Sequence, residues 1–274
     1  MSKSIQQIKQ DLLGFETVVS ALAIELQDLY RKYLNLLSKS AEKQLVLVTY
    51  QICTQEYPGS FLKLSLQSRE NLQQNIRKLG KQIGTICLQE ELTSDSETTK
   101  EADLSIDSLL VENEDSSAEK SQMRSHKPEY WIEWHQKIQR TINETFESIS
   151  KQANLLLKEA EILPHQLPEK IMDMAIAAEN TDSPIGGYPN MLNMLIEAEE
   201  NESETSDPKI TKLTAIRLRL PEIEFSDPNL SAIGNQIRNL LAKIDKIRKQ
   251  YHKKERQLLR AEAESSWRST WYEE

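Results

Sequence analysis

Apolar residues recur at Ile5, Ile8, Leu12, Phe15, Val19, Leu22, Leu26, Leu29, Tyr33 and Leu36, in unbroken alternating steps of three and four. That spacing keeps returning to one side of a helix, as the a and d positions of a heptad do, and it does not suit a strand, whose faces alternate every second residue. A helix over this stretch would be about 48 Å long at ~1.5 Å per residue. Leu13, Ile24, Leu34 and Leu37 add a second apolar row, which suits a bundle better than an isolated two-helix seam. Gly14 is a weak point in it. The same three-four rhythm returns near the other end, at Leu230, Ile233, Ile237, Leu240, Ile244, Ile247 and Tyr251. Lys254 then falls on the seam, so its tight part should end near Tyr251. The spacing leaves open whether the two seams pair within one chain or between two copies.

Composition points the same way. Aromatic residues make up 6% and glycine only 7 of 274 positions, leaving a sequence dominated by helix formers. The chain carries a formal net charge of −9, which argues against a protein that coats nucleic acid or an anionic membrane with its whole surface. Cys53 and Cys87 are too few for a disulfide framework and too far apart for a CxxC site, so they read as reduced thiols. The N-terminal residues lack the compact apolar core of a signal peptide, and no window approaches ~18 apolar residues in a row. These readings place the protein in the cytoplasm, with no membrane contact.

Along the chain, Ser38 or Ser40 is expected to cap a second helix running to Tyr57, where Pro58-Gly59 breaks it. Leu45 to Val48 are consecutive apolar residues, as in a segment buried on more than one side. Ser65 can cap a further helix containing Leu72, Ile76, Leu79, Ile83 and Ile86. Residues 91–125 are rich in Asp, Glu, Ser and Thr, which predicts a disordered acidic linker. Pro128 suits the first turn of a long helix to about Leu163. Short helices are expected from Pro168 and over Met191 to Glu197, followed by a second acidic linker at 201–208. Asp207-Pro208 and Asp227-Pro228 both read as helix starts. Between them, Ile210, Leu213, Ile216 and Leu220 fit a helix ended by Pro221, whereas Ile216, Leu218 and Leu220 alternate with Arg217 and Arg219 as in a strand; helix is the preferred reading. The expected organisation is therefore all-α: an N-terminal helical module (1–90), linker (91–125), central helical region (126–200), short linker (201–208) and C-terminal coiled-coil-like helix (209–274).

The most distinctive charge feature lies on the last helix. Arg238, Lys243, Lys246, Arg248, Lys249, Lys253, Lys254, Arg256 and Arg260 are opposed only by Asp245 and Glu255, nine charges against two, a net of +7. A continuous basic helix beside a zipper seam is able to grip a phosphate backbone. A solvated face, partly neutralised by the chain's own acidic segments, is the plainer reading and the preferred one. Trp267 and Trp271 share a face if the helix continues; they would dock on this chain's own bundle, the preferred reading, or anchor a partner. Leu104, Ile106, Leu109 and Leu110, an apolar island in the acidic linker, read equally as a chance cluster or a docking segment. The histidines at 126, 135, 165 and 252 have no ligand spacing, and His135 beside Trp134 reads as an interface residue. Gly186-Gly187 lacks the strand and lysine of a phosphate loop, and Met172, Met174, Met191 and Met194 read as core filler or an adaptable groove. No cofactor, metal or catalytic set is expected.

Thr49 to Cys53 with Tyr57-Pro58, Leu220 to Phe225, and Ala261 to Trp267 together resemble a conserved cyanobacterial family of uncharacterised helical proteins. The resemblance implies a prokaryotic cytoplasmic setting and no activity. The expected function is a non-enzymatic scaffold or adaptor acting through helix packing with a protein partner, with self-association as a homodimer one form of it. The alternative is a regulatory nucleic-acid binder using the basic helix 238–260.

Overall fold

A computed structural model of the chain describes residues 5–93, 126–164, 188–198 and 209–271. Six α-helices and one two-stranded sheet account for most of them: α1 (Ile5–Gln51), α2 (Pro58–Lys63), α3 (Leu66–Thr93), α4 (Pro128–Glu159), β1 (Met191–Ala198), β2 (Lys209–Ile216), α5 (Leu220–Ser226) and α6 (Pro228–Ser269). The fold is all-α, with the sheet a small addition. The expected linkers at 94–125 and 201–208, the island at Leu104, Ile106, Leu109 and Leu110, the Pro168 helix and Gly186-Gly187 lie outside the described residues. α3 reaches Thr93, three residues into the stretch expected as linker.

The break expected at Ser38 or Ser40 is absent: α1 runs through both. Neither hydroxyl caps a helix start. Ser38 Oγ donates to the Asn35 carbonyl at 3.0 Å, and Ser40 Oγ donates to Asp227 at 2.6 Å. α1 instead ends in a π-helical turn, Ile52–Glu56, closed by the Tyr57 amide donating to the Ile52 carbonyl at 2.9 Å. Pro58 then starts α2, since its missing N–H is not needed in a first turn. Ser65 Oγ accepts the Ser68 amide at 3.1 Å and caps α3. Asp227 does the same for α6, accepting the Asn229 and Leu230 amides at 3.0 and 3.4 Å ahead of Pro228.

Two helices expected from the sequence are strands. Met191 to Glu197 is most of β1, and Lys209–Ile216 is β2, antiparallel in register Met191↔Ile216 through Ala198↔Lys209. Asp207-Pro208 therefore leads into a strand, and Pro221 lies in the first turn of α5 instead of ending a helix. Every residue from Leu213 to Leu218 is buried. With both faces covered, period-two patterning has no solvent side to display, and the apolar positions fit a helix equally well.

The described residues group into two compact units, divided within α1, α4 and α6: those in Met1–Lys32, Glu91–Gln139 and Ala232–Glu274 form one, those in Tyr33–Glu90 and Arg140–Ser231 the other. In the first, the N-terminal part of α1 meets α6 antiparallel, as three contacts show. Tyr251 Oη donates to Glu16 at 2.9 Å, Lys254 Nζ donates to Asp11 at 2.7 Å, and Lys9 pairs with Glu262 at 2.9 Å. The two terminal seams thus meet within a single chain. Leu12, Val19 and Leu26 are buried on α1, and Ile237, Leu240, Ile244 and Tyr251 on α6. Leu13 and Ile24, read as widening the apolar face, are 61% and 65% exposed. The third wall is α4, whose buried Trp131 and Trp134 pack edge-on with each other, and Trp134 with Tyr30. His135 lies half-buried beside this cluster, hydrogen-bonded to the Tyr30 hydroxyl, and burial holds its pKa below the ordinary value.

In the second unit α3 packs on α1 through two glycines. A Cβ on Gly80 would lie 3.0 Å from Glu42 Cγ, and one on Gly84 3.3 Å from Ser38 Cβ. Leu72, Ile76, Leu79 and Ile83 fill the buried face of α3; of the Leu45–Val48 run, Leu45 and Val48 are buried but Leu47 is 44% exposed. The sheet is tied in by polar side chains. Asn154 of α4 grips both backbone groups of Ile216, and Ser150, one turn earlier, accepts the Leu218 amide at 2.9 Å. Asn190 sits at φ 60°, in the left-handed region that asparagine tolerates better than most residues. Its carbonyl accepts the Arg217 amide and its Oδ1 the Arg219 amide, both at 2.9 Å.

Candidate functional site

The buried side of α6 carries Ile237, Leu240, Ile244 and Tyr251. Lys246, Lys249, Lys253, Arg256 and Arg260 follow one another in steps of three and four, half a turn away from that side, and all five are exposed. The same row continues through Ala263 to Trp267, and Trp271 lies one turn further on. From Lys246 to Trp267 the face is about 32 Å long at ~1.5 Å per residue. One exposed helix face therefore begins cationic and ends aromatic.

The nine basic residues divide by position. Arg248 flanks the buried side and is held by Asp245 at 2.6 Å, and Asp245 also takes Lys249 at 2.8 Å. The bond from Lys249, and then the charge of Arg248, hold the Asp245 carboxyl below the usual range. Lys254, on the seam, pairs with Asp11, so the lysine that breaks the apolar run of the zipper is matched by an acid on α1. Arg238 is exposed and donates to Asn235 at 3.1 Å, and Arg256 donates to its own helix at the His252 carbonyl at 3.4 Å. Among the described residues, Lys243, Lys246, Lys253 and Arg260 carry no ion pair. The basic helix is thus partly neutralised inside the unit, and its outer face stays charged.

Trp267 and Trp271 are 68% and 66% exposed, with ring centroids 6.1 Å apart and planes tilted by 47°. The preferred expectation, that they dock on this chain's own bundle, is not met: they rest on each other and face outward. Among exposed groups this pair is unusual, because indole carries the largest apolar area of any side chain and water is a poor neighbour for it.

The sequence treats the cations and the tryptophans as separate features. Counting outward-facing positions along α6, and not only the seam, would have joined them. The polar clamp of Ser150, Asn154 and Asn190 gives no local sequence signal, since its partners are backbone groups more than 25 residues away. Met191 is buried in β1, and the other three methionine side chains of the expected groove lie outside the described residues. Among the described residues no three His, Cys, Asp or Glu side chains converge on a point that would hold a metal. No helix there is long and apolar enough to cross a membrane.

No family, curated protein or solved structure matches the chain.

Proposed function

We propose that this protein is a non-enzymatic adaptor of the cytoplasm, whose partner-binding surface is the outer face of α6 from Lys246 to Trp271. The observation that carries this reading is the position of the row. The seam side of α6 is buried against its own chain, while the opposite face sets five exposed cations in line with two exposed tryptophans. Clustered aromatic and arginine side chains are the groups that dominate binding energy at protein interfaces. Their alignment on one helix suits a protein partner presenting an acidic helix or strip beside an apolar pocket. The pairing of the terminal seams within one chain favours a heterotypic contact over a homodimer zipped through those seams. The resemblance to the cyanobacterial helical family belongs to this proposal and supplies only its prokaryotic setting.

A photo-crosslinking amino acid at Lys253 or at Trp271 in the full chain tests it in native lysate. The same acidic protein should be captured from both positions and lost when Lys246, Lys249 and Arg256 are changed to Glu. Capture from neither position, or of different proteins from each, counts against it.

A second reading, nucleic-acid binding, is favoured by one feature: lysines and arginines spaced along a helix ending in two exposed indoles offer phosphate contacts and faces for base stacking together. The net charge of −9 opposes it at long range. Retention of single-stranded DNA or RNA that falls steeply with salt, and is lost in the same charge-reversed variant, would put this reading first. No retention at low salt would remove it.

A further inference from the structure

A pocket of about 270 Å³ lies between the end of α1, its π-helical turn, α2 and α3. Its apolar wall is Val46, Cys53, Phe61, Leu72 and Ile76. The extra residue of the π-turn widens the helix there, and such turns recur at functional sites because they reposition side chains at some cost in helix regularity. Cys53 is no nucleophile in it, because burial pushes its thiol up to about 12.

The polar rim has one chemical sense. Thr49 and Thr54 also line it, but their hydroxyls already donate to the Leu45 and Tyr50 carbonyls at 2.7 and 2.8 Å. Tyr50, Gln73 and Arg77 remain, and none of these three side chains has a hydrogen-bond or ion-pair partner among the described residues. No acidic side chain lines the pocket. A free guanidinium beside an amide and a phenol, above an apolar floor, is complementary to an anionic head on an apolar body.

We infer that this pocket binds a small apolar carboxylate, its body against Cys53, Phe61 and Ile76 and its carboxylate at Arg77. The size suits a small ligand: a pocket of about 270 Å³ takes the body of a medium-chain or aromatic acid. This site belongs to the second unit and is independent of the α6 face.

Calorimetric titration of the full chain with benzoate, hexanoate and octanoate, each beside the matching alcohol, tests the inference. Amide NMR shifts locate any binding. At least one acid should bind while its alcohol binds more weakly, with shifts at Tyr50 to Thr54 and at Phe61. Arg77→Gln should weaken the acid about tenfold, the ~1.4 kcal/mol scale of a charge-assisted hydrogen bond at an open rim, and leave the alcohol unchanged. Arg77 is exposed and unpaired, so that variant should keep the parent's unfolding midpoint, and Arg77→Lys should restore part of the affinity. The inference is overturned by absence of binding for all three acids at millimolar concentration, by equal binding of acid and alcohol, by indifference to Arg77→Gln, or by shifts that cluster on α6.

Discussion

Asn154 holds Ile216 by both of its backbone groups: the side-chain Nδ2 donates to the Ile216 carbonyl and the Ile216 amide donates to Oδ1, each at 2.8 Å. A primary amide has the same donor–acceptor pair as a peptide unit, so this side chain of α4 acts toward β2 as one residue of a neighbouring strand would. Asn154 and Ile216 are both fully buried, so no solvent competes for either bond.

Removing that amide strands two groups at once. Asn154→Ala should destabilise the protein by about 2–6 kcal/mol, because each of the two buried, unsatisfied backbone groups costs ~1–3 kcal/mol. Ser150→Ala, which removes one acceptor from the Leu218 amide, should cost about half as much. Urea unfolding of the two single variants and the double variant measures both. A loss below ~1 kcal/mol for Asn154→Ala would mean that water replaces the amide and the clamp is not rigid.

The glycines of the long helices should respond differently to an added side chain. A Cβ at Gly14 meets nothing within 4 Å, so Gly14→Ala should stabilise by the full helix-propensity difference, about 1 kcal/mol. At Gly84 the new methyl would sit 3.3 Å from Ser38 Cβ, and at Gly80 3.0 Å from Glu42 Cγ and 3.4 Å from the Glu42 backbone. Gly84→Ala should therefore gain less than Gly14→Ala, and Gly80→Leu should lose about 1–3 kcal/mol by overpacking. Thermal unfolding of the three variants ranks them. Equal gains at Gly14 and Gly84 would show that α3 does not approach α1 so closely.

What the sequence discloses here follows from range. The long helices are legible because the apolar period of α1, α4 and α6 is written locally, and so are the caps Ser65 and Asp227. Ser40 misleads because it has the chemistry of a cap but bonds Asp227, 187 residues away. β2 misleads more deeply. Its apolar residues suit a helix, and what selects the strand is a ladder to β1 plus the clamp from Ser150 and Asn154, neither of which leaves a local mark. The π-turn at Ile52–Glu56 is likewise invisible, and with it the pocket. At the candidate interface each charged and aromatic residue is recognisable in sequence, but their shared row becomes plain only once the buried side of α6 is known.

Asp227 joins two roles, capping α6 and accepting Ser40. The bond from Ser40, with those from the Leu230 and Asn229 amides, holds its carboxyl below the ordinary value despite the opposing effect of burial. A depressed carboxylate pKa means the unfolded chain binds the proton more readily, so the contribution is present above the unfolded value near 3.8 and lost as pH falls through the folded one. Asp227→Ala should cost about 1 kcal/mol at neutral pH, and the gap between variant and parent should close in acid. Denaturation at pH 7 and near the acid limit of solubility reads both numbers; a gap that stays constant would show that the charge contributes nothing beyond the hydrogen bonds.

His135 gives the opposite chemistry with the same direction in pH. The Tyr30 hydroxyl meets its Nδ1 where Tyr30 packs on Trp134, and partial burial favours the neutral ring. A neutral imidazole with its hydrogen on Nε2 accepts the hydroxyl proton at Nδ1, whereas an imidazolium puts a second hydrogen there and Tyr30 must turn away. Because the folded pKa lies below the ordinary 6.5, the unfolded chain takes up the proton first on acidification. Stability from this site is therefore intact above about 6.5 and declines as pH falls from there toward the folded pKa, before most carboxylates titrate. His135→Gln keeps a neutral hydrogen-bonding side chain and removes the titration, while the histidines at 126, 165 and 252 remain in both proteins and cancel on subtraction. The stability difference between parent and variant should be flat from pH 9 to pH 7 and shrink or reverse below that, an interval set by the reference histidine value of ~6.5. If the difference does not move between neutrality and the onset of carboxylate titration, the ring is not buried neutral against Tyr30.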